Sequence, residues 1–164
     1  MSEKSENPDY FKNPPPRRVG ALAFLEAPEG RFAVIERSYW TEVSRWGLPG
    51  GSAAPNELPR RALARHLAEK LHVRLTADRF LLVDHATAVP GKHHEGSNFV
   101  YYKRLAELPQ DVRPARGYKD LRWVTPEQAE DLLLDHELLR FRACVQAVRS
   151  SAFGVELLYG NPMI

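Results

Sequence analysis

Apolar positions along the chain fall into short continuous runs and one four-residue repeat. Val19 to Leu25 (VGALAFL) and Arg31 to Arg37 (RFAVIER) have strand length, and EAPEG lies between them. A connection of that size containing Pro and Gly predicts an antiparallel hairpin. Phe80 to Val83 and Asn98 to Tyr102 add two strands, and Leu121 to Val124 a short one. From Pro59 to Leu71, the residues Leu63, Leu67 and Leu71 form one apolar stripe of a helix, with Arg65, His66, Glu69 and Lys70 expected on the other side. Pro59 suits the first helical position, although Leu58 before it offers no capping side chain. Thr125 to Gln128 (TPEQ) has capping-box form and predicts a short helix through Leu133. Asp135 is the expected cap of a last helix, whose buried face is marked by Leu138, Phe141, Val145 and Val148. Strands interleaved with helices in this way predict an α/β fold, a mixed sheet flanked by helices.

Composition narrows the class. With 164 residues the chain fits one domain with a sizeable core, and 43% hydrophobic with 27% charged residues is a globular balance. No apolar run approaches the roughly 20 residues of a membrane-spanning helix, so no membrane partner is expected. The first residues, MSEKSENPDYFKNPPPRR, are polar and proline-rich, unlike a secretory signal, and the expectation is a cytoplasmic protein. They divide the chain into a tail (1–16), a domain (17–150) and a C-terminal extension (151–164). Cys144 is the single cysteine, unable to form an internal disulfide, and reads as a small core residue. Lys and Arg exceed Asp and Glu by 23 to 21, a net charge of +2 that leans mildly toward anionic ligands. Basic residues are not gathered into a run with interleaved aromatics, so nucleic acid is not an expected partner. Oligomeric state stays open.

The chemistry concentrates between Trp46 and Val73, WGLPGGSAAPNELPRRALARHLAEKLHV. Gly50 and Gly51 allow close approach of backbone to a ligand, and exposed N–H and C=O groups there suit phosphate or metal. Counting from Gly51, five residues lead to Glu57 and seven more to Arg65, followed by Leu67, Glu69 and Val73. This spacing resembles the Nudix box, G-x5-E-x7-R-E-U-x-E-E-x-G-U, where U is a bulky aliphatic residue. The sequence departs from it at His66 and Lys70, which replace acids, and at His72, which replaces the glycine. The WGLPGG entry, the strands before it and the LRWVTPE segment are also similar to a Nudix domain, so the resemblance runs from about Arg17 to Val148.

That resemblance implies an α/β/α sandwich. It also implies Mg²⁺- or Mn²⁺-assisted attack of water on the pyrophosphate of a nucleoside diphosphate linked to another moiety. By the same resemblance, the Gly50 carbonyl and the Glu69 carboxylate correspond to metal ligands, and Glu57 with Arg65 to the pair that braces loop against helix. His66 and Lys70 stand where two further carboxylates would be. Magnesium wants an octahedral oxygen shell, whereas imidazole suits manganese, cobalt or zinc, so the expected ion is Mn²⁺ before Mg²⁺, weakly held. Lys70 has two readings: its ammonium contacts a diphosphate oxygen directly, or it is a solvated helix residue. Gly51, Arg37, Trp46 and Tyr39 are the other candidates on the substrate side, and Trp46 is equally a packing residue. Asp120 and Glu95 are candidates for an extra acid from outside the box. His93 and His94 read as part of a mobile surface loop, and His72 as a change in how the helix ends.

Three functions compete. The expected one is a Nudix-type hydrolase of a small-molecule diphosphate or nucleotide, with an atypical metal site. The alternatives are a binding module for a nucleotide or phosphate ligand, and a non-hydrolytic enzyme reusing His66 as acid or base.

Overall fold

The computed structural model describes residues 8–38, 45–76 and 79–163. Its centre is β1 (Arg17–Ala27), buried on both faces: Ala21, Ala23 and Leu25 look one way, Leu22 and Phe24 the other. Along one edge β1 runs parallel to β6 (Glu95–Arg104), from Arg17↔Glu95 to Glu26↔Arg104, and β6 pairs antiparallel with β5 (Arg79–Ala86). Along its other edge β1 has two partners in succession. It pairs with β2 (Arg31–Arg37) at Glu26↔Phe32 and Ala27↔Arg31, then with β4 (Gly50–Ser52) from Leu22↔Gly50 to Gly20↔Ser52.

The predicted hairpin between β1 and β2 is therefore present but short. Glu29 and Gly30 turn the chain in left-handed conformation, with φ of 67° and 64°. Beyond the two paired positions β2 leaves β1 and pairs along its length with β7 (Tyr118–Val124), and β3 (Trp46–Gly47) joins β2 at Ile35 and Glu36. In the segment 151–164, β8 (Val155–Leu158) adds to β5 in parallel and β9 (Asn161–Pro162) folds back on β8.

Helices cover both faces, as an α/β/α sandwich requires. Against one face lies α1 (Pro59–Leu71), whose Leu63, Leu67 and Leu71 meet Ala23, Leu25, Ile35 and Tyr101. Against the other lie α2 (Pro126–Leu132) and α3 (Asp135–Ser150), packed on Leu22, Phe24, Phe32, Val34 and Val100. Phe24 and Phe32 stack at 4.4 Å, and Phe141 of α3 meets both edge-on at 5.5 and 5.7 Å. Among the described residues, no helix is long and apolar enough to cross a membrane.

Several local expectations are corrected. His66, expected on the polar side of α1, is only 8% exposed, because it follows Ala62 and Leu63 by four and three positions and so shares their face. The capping box closes from both ends, Gln128 N–H donating to Thr125 Oγ1 at 3.3 Å and Thr125 N–H to Gln128 Oε1 at 2.9 Å, but α2 stops at Leu132. Asp135 does not cap α3. It is the helix's first residue at φ 50°, and Leu134 takes the cap position without a side-chain bond. His72 ends α1 in the left-handed conformation that glycine favours, φ 56°, with its N–H bonded to Leu67 O. The terminus thus keeps its geometry despite the missing glycine, at the backbone cost of a Cβ there.

Candidate active site

The loop entering α1 is set by β4, which lies close on β1. A Cβ on Gly50 would overlap the Ala21 carbonyl oxygen and approach Leu22 Cα at 2.9 Å, and φ is 142°. No other residue fits there. Both polar main-chain atoms of Gly50 are satisfied by one side chain from β7. The Gly50 N–H donates to the Tyr118 hydroxyl oxygen at 2.7 Å, and that hydroxyl donates to the Gly50 carbonyl at 2.6 Å. Tyr118 is buried.

From the loop into the helix, Glu57 and Arg65 form a two-pronged pair: Nε to Oε2 and Nη2 to Oε1, each 2.8 Å. Glu57 Oε1 also accepts from Ala54 N–H at 2.9 Å, and Arg65 Nη2 reaches Ser52 O at 3.3 Å. The Arg65 hydrogen bonds, then the Ala54 amide, hold the Glu57 carboxyl down at about 2. One turn on, Glu69 lies 3.7 Å from Arg65 Nη1 and is 40% exposed.

His66 turns inward. Its Nε2 lies 2.7 Å from Ser52 O, and because a carbonyl only accepts, Nε2 carries the proton. Nδ1 is buried with no partner among the described residues. The ring lies against Gly51, where a Cβ would come within 2.6 Å of Cε1 and Nε2. The room left by Gly51 is thus filled by His66. Burial above all, with the charges of Lys70 and Arg65, lowers the imidazole pKa against the opposing Ser52 hydrogen bond. A neutral ring with its N–H committed and its other nitrogen enclosed is badly placed for acid–base work.

Lys70 extends over the Tyr118 ring, Nζ 5.0 Å from the centroid. Burial first, then Arg37 and Arg65, pushes its pKa down, with Glu69 opposing. Arg37 is itself tied into a buried ionic chain that the sequence reading missed. Its Nη1 lies 3.4 Å from Glu137 Oε1; Glu137 Oε2 accepts from Arg140 Nη1 at 3.0 Å; Arg140 Nε donates to Asp84 Oδ2 at 2.6 Å. Gly160 N–H completes Asp84 at 2.9 Å. Burial alone would raise the Glu137 pKa, but Arg140, Arg37 and His136 win and hold it low. Gly47 makes room, since a Cβ there would lie within 2.8 Å of the Arg37 guanidinium and Glu137 Oε2. The legible signal was the three-residue spacing of Glu137 and Arg140 beside Phe141, two charges on an apolar helix face.

The other candidates separate from the loop. Trp46 packs against the core, with the Arg122 guanidinium 4.7 Å over its ring. Asp120 accepts from its own neighbour Leu121 N–H at 2.8 Å and pairs with Arg122 at 3.4 Å. Glu95 bonds Arg17 at 2.6 Å, at the start of β1. His93 and His94 are exposed, and His93 closes a turn with Val89 through a bridge and two main-chain bonds instead of standing in an open loop. Tyr39 lies outside the described residues.

Helical layers on both faces of a mixed sheet are an arrangement this chain shares with known proteins. A family profile described as NUDIX domain matches residues 16–143, and the chain belongs to that family, the Nudix hydrolases. Among solved structures it is similar to a MutT protein from Methanosarcina mazei Go1, at 17% identity over 84% of this chain and 96% of that one, TM-score 0.66. A MutT NUDIX hydrolase from Burkholderia pseudomallei is 26% identical over 69% of this chain and 86% of that one, TM-score 0.57. A bifunctional NMN adenylyltransferase/ADP ribose pyrophosphatase from Francisella tularensis, complexed with AMP and a Mn ion, is 19% identical over 87% of this chain and 44% of that one, TM-score 0.62. No curated protein sequence matches.

Nudix hydrolases generally use divalent cations, and the side chains present here do not fit one. The Gly50 carbonyl already accepts from Tyr118, His66 is turned to Ser52 O, and Lys70 brings a cation. Glu69, the carboxylate expected as a ligand, faces Arg65. Among the described residues, no three His, Cys, Asp or Glu side chains are grouped to hold an ion. An octahedral oxygen shell would need several more donors.

Proposed function

We propose that the chain takes the diphosphate of a nucleoside diphosphate linked to another moiety, against the Gly50–Ser52 loop and Lys70, and hydrolyses it slowly. The observation that carries this reading is the position of Lys70. Its ammonium stands on α1 where the box would place an acid, half-buried over Tyr118, in the field of Arg37 and Arg65. Such a group neutralises phosphate charge as a fixed point charge, strengthened by partial exclusion of water. Glu57 and Arg65 hold the loop. Glu69, partly exposed one turn along α1, is the carboxylate available to orient a water and take its proton.

A second reading, ligand binding without turnover, is favoured by the Tyr118 bonds that occupy Gly50. Chromatographic assay of nucleoside monophosphate release, across nucleoside diphosphate conjugates in Mg²⁺, Mn²⁺ or EDTA, separates the two when paired with calorimetric titration. The expected result is binding in EDTA with slow release. Binding without any release selects the binding module, and no binding to any compound overturns both.

A further inference from the structure

We propose that Tyr118 closes the glycine loop to divalent ions and, with Lys70 seated on its ring, converts the loop into a metal-free site for a diphosphate. The anion half rests on the function proposed above; the metal half does not.

Gly50 is fixed by the pairing of β4 with β1 at Leu22↔Gly50, with Ala23 N–H bonded to Pro49 O beside it, so its N–H and C=O are held in place. A buried carbonyl in that state needs a donor or a cation, and leaving it unmet is costly. Here the donor is the Tyr118 hydroxyl at 2.6 Å, which also accepts from the Gly50 N–H at 2.7 Å. One oxygen thus serves both polar atoms of the glycine. A carbonyl keeps a second lone pair, so the phenol weakens Gly50 as a ligand without barring an ion outright. The ring that carries it, however, supports the Lys70 ammonium on its face, and a divalent ion near Gly50 would meet that like charge in a half-buried setting. The inward turn of His66 removes a further ligand, since Nε2 carries the proton given to Ser52 O and the unprotonated Nδ1 is enclosed in the interior.

Tyr118 is therefore a positioning residue acting through Gly50. It lies on β7, far along the chain from the box, so its part cannot be read from the box spacing. The expected behaviour is opposite to that of a loop carbonyl waiting for a metal: charge on the ligand is met by Lys70, while both main-chain polar atoms of Gly50 stay bonded to the phenol.

The test uses the full chain without nucleotide. In the parent protein, millimolar Mn²⁺ should leave the Gly50 and Gly51 amide resonances unbroadened; selective broadening of those two at micromolar Mn²⁺ overturns the proposal, whether or not any variant folds. Mn²⁺ affinity is then read by electron paramagnetic resonance for His66→Glu with Lys70→Glu, and for the same pair with Tyr118→Phe. The triple variant should bind measurably tighter than the double variant, because the Gly50 carbonyl then keeps both lone pairs for the ion. Equal affinity of the double and triple variants would show that the hydroxyl does not close the loop, and overturns it. Inorganic pyrophosphate titrated into the parent in EDTA should bind. If it does not while the Mn²⁺ results hold, the diphosphate reading and the anion half fall and the metal half stands.

Discussion

Arg65 and Glu57 lie side by side across the turn between β4 and α1, Nε facing Oε2 and Nη2 facing Oε1, both at 2.8 Å. Such a fork-to-fork pair fixes direction as well as distance. Arg65→Ala should lower the melting temperature and loosen the loop. The loss has a defined pH window. Glu57 sits at about 2 when folded against an ordinary 4.5, so its contribution is complete above 4.5 and fades as pH falls toward 2. The difference in melting temperature between parent and Arg65→Ala, followed by scanning calorimetry, should therefore shrink through that interval; a difference independent of pH would count against the pair.

His66 works in the opposite charge sense at a higher pH. Its folded pKa is lowered from 6.5, so the unfolded chain takes up a proton first as pH drops. Stability from this group is complete above 6.5 and falls as pH moves below it. His66→Asn, which keeps an N–H for Ser52 O, should flatten the part of the melting profile just under 6.5. An unaltered slope would mean that the ring is not enclosed as described.

Lys70→Ala should weaken diphosphate binding in EDTA by roughly 1.5–3 kcal/mol, the range for hydrogen bonds to charged groups. Added salt should weaken the parent's binding more than the variant's, since one exposed charge pair has been removed. Calorimetry at two ionic strengths reads both effects, and equal binding by parent and variant would leave Lys70 as a packing partner of Tyr118 with no part in binding.

Arg140→Leu should be among the most destabilising single changes, because it removes the cation shared by buried Asp84 and Glu137, leaving Asp84 to the Gly160 N–H and Glu137 to Arg37. Removing one partner of a buried ion pair costs about 3–5 kcal/mol. Urea unfolding measures it. A loss under about 1 kcal/mol, the scale of an exposed pair, would indicate that water reaches the chain of charges.

What the sequence made legible was whatever local pattern controls. The four-residue stripe of α1 and the TPEQ cap rest on contacts within a few residues, and the runs at Val19 to Leu25 and Arg31 to Arg37 show as apolar stretches of strand length although their main partners, β6 and β7, lie far along the chain; each element forms. The inward turn of His66 was open to the same arithmetic, but polarity suggested the opposite side. The Tyr118–Gly50 and Arg140–Asp84 contacts span 68 and 56 residues. Such pairs follow from how strands are ordered in the sheet, which spacing along the chain does not encode. Box residues Glu57 and Arg65 were readable because their partners are eight positions apart.

The Tyr118 hydroxyl also has a mechanical consequence. Gly50 rides on β4, which is fastened to β1, whereas Tyr118 rides on β7, which is fastened to β2. Among the described residues β1 and β2 are stitched to each other at Glu26 and Ala27 and then diverge as a wedge, bridged near the site by β3, which pairs with β2 and leads through Pro49 into β4, and by the phenol as a second strut. Any change in the wedge angle loads that strut. The stacked rings of Phe24 and Phe32 stand at the stitched end, and a smaller side chain at either would alter the angle there and be felt, by leverage, as a displaced Gly50 carbonyl at the other.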